Sequence, residues 1–247
     1  MNEKLNILGV MIDRVDRAEA LERFARLMEA PGQSLIVTPN SEIVLNATKD
    51  SALRGLINGA ALVIPDGIGL MIASRQLKSP LKERVTGIDF CRTALDWCAE
   101  HGRGVYFFGA KPGVAELAAE KLKAEVPGLK VCGCRDGYLK PDEEAEIAAE
   151  IAASGAEFLC IALGSPKQEL FAERHKTVLG KGGVRVAIGI GGSLDVWSGT
   201  LERAPEFYCR NGLEWLYRLF QEPKRFGRMS KIPFLFLKVM FSKKNRA

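Results

Sequence analysis

The chain has 247 residues, 47% apolar and 26% charged, which is enough apolar material for a buried core and too much for a disordered segment. Six cysteines in a chain with twelve phenylalanines and three tryptophans exclude a disulfide-built scaffold, and a net charge of +5 is too mild to point to nucleic acid. The charge is unevenly placed: residues 203–247 hold eleven Lys or Arg against Glu206, Glu214 and Glu222, a net +8 that leaves −3 for residues 1–202.

The first residues, MNEKLNILGVMIDRVDR, carry a glutamate at position three and a short apolar stretch. They lack the basic start, long apolar run and small-residue cleavage site of a signal peptide, so a cytoplasmic location is expected. Downstream, runs rich in Val, Ile and Leu alternate with helical stretches. This is the pattern of an α/β fold whose mostly parallel, Rossmann-like sheet carries helices on both faces. Strands are predicted at 5–10, 35–38, 61–64, 105–108, 130–134, 158–162 and 184–188, the best of them almost wholly apolar, as central strands are. Apolar residues three or four apart predict helices at 17–29, 89–101, 114–125 and 142–153, with Pro112, Pro141 and Pro166 at helix starts. The cysteines are scattered, and Cys132-Gly-Cys134 has no second pair to complete a zinc site, so free thiols in a reducing compartment are expected.

The tail reads differently. From Pro223 onward eight basic residues and no acidic ones interleave with Phe226, Met229, Phe234, Leu237 and Phe241 among others. Its most apolar run, 232–241, spans roughly 15 Å as a helix against about 30 Å of bilayer hydrocarbon, and cannot cross a membrane. It suits an anionic membrane surface, where each Lys or Arg contributes about 1 kcal/mol from acidic lipid. A core helix with charged edges and an RNA-binding tail are the rivals, and no nucleic-acid motif accompanies the second. Residues 1–202 therefore read as the α/β catalytic domain and 203–247 as a membrane-associating helical appendage.

Ligands of open parallel sheets bind beyond the carboxyl ends of the strands, and four such ends are unusually polar. They are Thr38-Pro39-Asn40-Ser41-Glu42, Pro65-Asp66-Gly67-Ile68-Gly69, Gly164-Ser165-Pro166-Lys167-Gln168-Glu169 and Gly189-Ile190-Gly191-Gly192-Ser193-Leu194-Asp195. Asp66 leaves an apolar strand into a glycine-flanked turn, where it serves either as a general base for an approaching hydroxyl or as a helix N-cap. The glycines at 189–192 lack the third glycine of the dinucleotide fingerprint, and no Walker lysine motif occurs, which leaves a looser diphosphate cradle or a structural turn. Ser193 is not in a Gly-x-Ser-x-Gly elbow. His101 and His175 read as surface residues at helix ends. No Asp-x-Asp pair offers two carboxylates to a metal, so phosphate charge falls to arginines. Arg84, in Glu83-Arg84-Val85-Thr86-Gly87, is one candidate, with a solvated surface charge as the alternative.

Taken together, Thr38-Pro39-Asn40-Ser41-Glu42, Pro65-Asp66-Gly67, Glu83-Arg84-Val85-Thr86-Gly87, Gly164-x-Pro166-x-Gln168-Glu169, Gly191-Gly192-x-x-Asp195, Arg203-Ala204-Pro205 and Gly212-Leu213-Glu214-Trp215-Leu216-Tyr217-Arg218 resemble the WecG/TagA/CpsF family of bacterial glycosyltransferases. The resemblance implies an inverting enzyme without an obligatory metal or other cofactor, peripherally attached to the inner face of the cell membrane. Such an enzyme moves a sugar from a UDP-sugar donor to a polyprenyl-diphosphate-linked acceptor, typically N-acetylmannosamine onto GlcNAc. UDP-glucose as donor for a capsule or exopolysaccharide is an alternative within the fold, and a noncatalytic UDP-sugar-binding protein docked on membranes is one outside it. On matching positions the resemblance makes Asp66 the base and Thr38, Asn40, Arg84 and Gln168 its pocket neighbours. Gly191 and Gly192 are expected at the diphosphate, Asp195 and Tyr138 at the uridine end, with a turn and packed ring as the alternative for Tyr138. Arg218, Arg225 and Arg228 of the tail are expected to reach the lipid diphosphate or the headgroups. The resemblance also implies a core that forms homo-oligomers when the tail is detached.

Overall fold

The computed structural model describes residues 3–140, 142–210, 213, 214, 216, 217 and 231–241. The chain opens with β1 (Lys4–Ile7) and β2 (Val10–Asp13), an antiparallel hairpin that forms a small sheet of its own. This corrects the single strand expected at 5–10. Leu8 and Gly9 make a two-residue turn with φ of 54° and 93°, and a positive φ at leucine leaves little signal in the sequence.

The main sheet, among the described residues, has six strands, all parallel, in the order β4-β3-β8-β7-β5-β6. They are β3 (Ser34–Val37), β4 (Leu62–Val63), β5 (Gly104–Gly109), β6 (Lys130–Arg135), β7 (Phe158–Ala162) and β8 (Val186–Gly189). β5, β7 and β8 are buried along their whole length, which is why their sequences are continuous apolar runs rather than alternating ones. β6 sits at an edge and is half exposed.

Helices cover both faces. On one side α1 (Arg17–Glu29), α5 (Gly87–Glu100) and α6 (Val114–Glu125) pack through Phe24, Phe90, Leu95 and Leu122 against Phe107 and Phe158. The ring of Phe24 stands edge-on to Phe158 at 4.9 Å. On the other side lie α2 (Ser41–Ala47), α3 (Ser51–Gly59), α4 (Ile68–Gln76), α7 (Glu144–Ala153), α8 (Lys167–Arg174) and α9 (Lys176–Lys181). α10 (Ser193–Trp197) follows β8, and α11 (Glu206–Arg210) comes after it. α1 starts where the sequence says it should because Asp16 and Glu19 form a reciprocal capping box.

The final described helix, α12 (Lys231–Phe241), lies on α2 and α4. Leu235 and Val239 are buried there, Lys238 Nζ donates to Thr48 Oγ1 at 2.7 Å, and Gln76 Nε2 donates to the carbonyl of Phe236 at 3.4 Å. Among the described residues no helix is long and apolar enough to cross a membrane. All six cysteines are free thiols.

Candidate active site

A cleft of about 470 Å³ opens at the carboxyl ends of β4, β3, β8 and β7 and is lined by all four of the polar strand ends. The amino ends of α2, α4, α5, α8 and α10 open on it as well. Each helix start carries a partial positive charge, and those of α4, α8 and α10 have no side-chain cap, so their convergence favours an anionic ligand.

Asp66 lines this cleft, half-buried, three residues beyond the last residue of β4. Its neighbour Gly67, at φ 85°, takes the N-cap position of α4, and that helix has no side-chain cap. The capping alternative for Asp66 is therefore not realised. Its backbone N–H donates to the carbonyl of Pro39 at 3.3 Å, which fixes the Asp66 turn to the Thr38–Asn40 turn. Gly87, the first residue of α5, lets these groups come together: a Cβ there would stand 2.9 Å from Thr38 Oγ1 and 3.5 Å from Asp66 Oδ2.

Several expected ligand-binding groups are also used within the protein. Asn40 Oδ1 caps α2, accepting from the N–H groups of Glu42 and Ile43 at 2.9 and 3.1 Å. Thr38 Oγ1 points to the carbonyl of Gly189 at 3.4 Å. Gln168 Nε2 donates to Glu169 Oε1 at 2.9 Å, while Gln168 Oε1 accepts the N–H of Gly191 at 3.2 Å. The Gly191 N–H thus points to Gln168 in this structure, and Gly192 continues the cleft wall beyond it.

Arg84 is no free surface charge. Its guanidinium donates to the carbonyl of Cys209 at 2.6 Å and pairs with Glu214 at 3.3 Å, on the rim that Arg84 and Glu214 share. A second tie holds the same stretch of chain: Arg203 bonds Asp89, whose other oxygen accepts from Thr86 Oγ1, the N-cap of α5, at 2.6 Å. Burial alone would raise the Asp89 pKa. The hydrogen bonds from Thr86 and Arg203 outweigh it and hold the carboxyl below the ordinary aspartate value.

Beside this site, and sharing Ala162, Leu163 and Asp195 with it, lies a larger cleft of about 860 Å³ at the ends of β5 and β6. Tyr138 lines it and is 71% exposed, so the packed-ring alternative fails, and its N–H is held by Asp136 Oδ1 at 2.8 Å. Lys111, Lys167 and Arg174 add positive charge to its wall, Arg174 being paired with Glu144 at 3.2 Å.

Residues 5–247 match the glycosyl transferase WecG/TagA/CpsF family. The chain belongs to this family. It is 38% identical over 200 residues to the N-acetylglucosaminyldiphosphoundecaprenol N-acetyl-beta-D-mannosaminyltransferase of Bacillus spizizenii, covering 81% of this chain and 76% of that one. It is 34% identical over 213 residues to the protein of the same name from Bacillus subtilis, covering 86% and 81%.

In this glycosyltransferase the structure gathers Thr38, Asn40, Asp66, Arg84, Gln168, Gly191, Gly192 and Asp195 around one cleft and places Tyr138 in the adjoining one. Arg218, Arg225 and Arg228 lie outside the described residues. Glu214, Glu169 and Lys111 take places at or beside the clefts that sequence reasoning gave no role. Lys111 could have been found by applying the strand-end rule to β5 as well. Among the described residues no three His, Cys, Asp or Glu are grouped to hold a metal ion.

Proposed function

We propose that this glycosyltransferase moves N-acetylmannosamine from UDP-N-acetylmannosamine to the C4 hydroxyl of N-acetylglucosamine on undecaprenyl diphosphate, in synthesis of a cell-surface polymer such as teichoic acid. The names of the two Bacillus relatives support the transferred sugar and the acceptor. The observation that carries the chemistry is Asp66, a half-buried carboxylate lining the cleft that does not cap the helix it precedes.

In the proposed step Asp66 takes the proton of the acceptor hydroxyl while that oxygen attacks C1 of the donor sugar from the face opposite UDP. The bond from C1 to the diphosphate oxygen breaks, UDP leaves, and the anomeric centre inverts without a covalent enzyme intermediate. Charge growing on the leaving diphosphate is met by Arg84, the Gly192 end of the loop and the converging helix starts, a preorganised field that needs no metal in this scheme. The Nδ2 end of Asn40 is oriented for a ligand because Oδ1 is used as a cap. Tyr138 and Asp195 receive the uridine in the larger cleft, and Arg218, Arg225 and Arg228 approach the lipid diphosphate from the tail. α12 lies on the inner membrane surface through its outward apolar side chains.

The test is UDP release from UDP-N-acetylmannosamine with a short polyprenyl-diphosphate-GlcNAc acceptor, without added metal, with the product weighed by mass spectrometry. Acceptor-dependent gain of one N-acetylhexosamine, falling about 10²–10⁴-fold in Asp66→Asn while UDP still binds, is the expected result. Turnover with UDP-glucose alone would reassign the donor. Nucleotide binding without turnover of any UDP-sugar would replace the transferase reading with the noncatalytic one.

A further inference from the structure

Glu169 has 1% of its surface exposed, sits one position after Gln168 on α8, and is used in no step above. Its Oε1 accepts from Gln168 Nε2 at 2.9 Å, which leaves the amide's other end, Oε1, to accept the Gly191 N–H at 3.2 Å. The chain of contacts therefore runs from a buried carboxyl through one amide to the backbone of the loop after β8. That loop lies hard against the amide: a Cβ on Gly189 would stand 2.2 Å from Gln168 Nε2.

Two features set Glu169 apart from an ordinary packing residue. Its Oε2 is buried and makes no well-aligned hydrogen bond among the described residues, a costly arrangement for a carboxylate. Burial also pushes its carboxyl above the ordinary glutamate value, against the downward pull of Gln168, of its own backbone N–H and of the Ser165 hydroxyl. The Glu169 carboxyl supplies the acceptor oxygen that orients the Gln168 amide, and a side-chain amide oxygen at the same place would supply it equally.

We propose that Glu169 is a positioning residue for the donor's diphosphate: it fixes the Gln168 amide, and through it the Gly189–Gly192 backbone that lines the cleft. The inference rests on the UDP-sugar reading above. It predicts that an uncharged residue with an acceptor oxygen replaces Glu169, whereas an apolar residue of the same length does not.

The experiment compares wild type, Glu169→Gln and Glu169→Met by amide hydrogen exchange at Gly191, UDP affinity by calorimetry, and KM for the acceptor. Glu169→Gln is expected to bind UDP within about threefold of wild type, and Glu169→Met about tenfold more weakly, the loss of one hydrogen bond to a buried group. Exchange at Gly191 should quicken in Glu169→Met alone, and the acceptor KM should stay put in both variants. A merely structural role would shift the acceptor KM along with UDP binding. Equal UDP affinity in all three proteins, unchanged exchange at Gly191, or Glu169→Gln failing alongside Glu169→Met would each overturn the inference. Should Glu169→Met not fold, Glu169→Leu removes the same acceptor oxygen with a smaller side chain and is read the same way. The UDP and exchange readouts need no turnover, so a wild type that binds UDP but transfers nothing sinks the transferase reading without touching this one, and a wild type that does not bind UDP sinks both.

Discussion

Arg84 and Glu214 stand 130 positions apart in the chain and meet at 3.3 Å on the rim of the cleft. The same guanidinium donates to the Cys209 carbonyl at 2.6 Å, so one side chain joins the loop before α5 to the segment that leads into the basic tail. The ionic contact is about one-fifth exposed on each side and is worth roughly 0–1 kcal/mol. In the proposed step the same guanidinium meets the charge of the leaving diphosphate, a larger effect. Arg84→Ala is therefore expected to lower turnover about 10²-fold and Glu214→Gln no more than about threefold, because Cys209 still holds the arginine. Steady-state kinetics of the two variants decides it: equal losses would assign the effect to the ion pair.

Gly87 separates activity from stability. Its φ is not in the left-handed region, so alanine fits the backbone and suits a helix. Its Cβ, however, would press on Thr38 at 2.9 Å and approach Asp66 Oδ2 at 3.5 Å. Gly87→Ala is expected to reduce kcat by about tenfold or more through displacement of Asp66, the proposed base, with Tm within about 3 °C of wild type. Activity lost only in step with Tm would mean that the glycine serves packing alone.

Asp13 carries stability rather than chemistry. It is 1% exposed, accepts from Arg23 at 2.8 Å and from the Val63 N–H at 2.8 Å, and has Lys4 at 3.4 Å. Val63 ends the two-residue strand β4, so this carboxylate anchors the start of the Asp66 turn to the amino-terminal hairpin. Asp13→Ala strands a buried N–H and costs about 2–4 kcal/mol, lowering Tm by roughly 5–15 °C. Asp13→Asn keeps one acceptor and should cost less. Thermal unfolding checks both, and an unchanged Tm for Asp13→Ala would show that the contacts contribute nothing net.

Asp89 gives the acid limb of stability. Its carboxyl titrates below the ordinary aspartate value in the folded protein because Thr86 and Arg203 bond the charged form against the cost of burial. A depressed folded pKa adds stability that is complete above the unfolded value of about 4 and disappears as pH falls through the folded one. Asp89→Asn should therefore lower Tm at pH 7 by an amount that shrinks steadily below about pH 4. A Tm difference that stays constant down to pH 2 would place the effect in packing rather than in the charge.

Local signals explain what the sequence makes legible. The alternation of apolar runs and amphipathic stretches specifies the parallel sheet, and the Asp16–Glu19 capping box marks the start of α1. The short helices α2 and α4 escape because each is about two turns long and begins inside a loop motif: Asn40 reads as a ligand group and proves also to be a cap. Asp66 illustrates the opposite case, since Asp before a helix looks the same in sequence whether it caps or not. The glycine that takes the N-cap position decides it. Pairings such as Arg84 with Glu214, or Gln168 with Gly191, arise from the way the strand ends converge and have no local signature at all.

α12 separates docking from membrane contact. Leu235 and Val239 face α2 and α4, while Phe234, Leu237 and Phe241, spaced three and four apart, face outward with Phe241 76% exposed. Met240 and, on α4, Ile72 are exposed as well. In the proposed membrane contact this outward apolar row on a basic segment is what buries area against lipid. Replacing Phe234, Leu237 and Phe241 together with serine should therefore weaken binding to vesicles containing anionic lipid by about 10²-fold or more, with Tm unchanged within about 3 °C. Leu235→Asp should do the reverse first, loosening α12 from the body and lowering Tm. Co-sedimentation with vesicles resolves the two, and a triple variant that binds like wild type would remove α12 from the membrane contact. Because α12 rests on α2 and α4, whose amino ends open on the Asp66 cleft, a vesicle-bound α12 in this assay would set that cleft at a fixed height above the lipid, the geometry that the proposed lipid-linked acceptor requires.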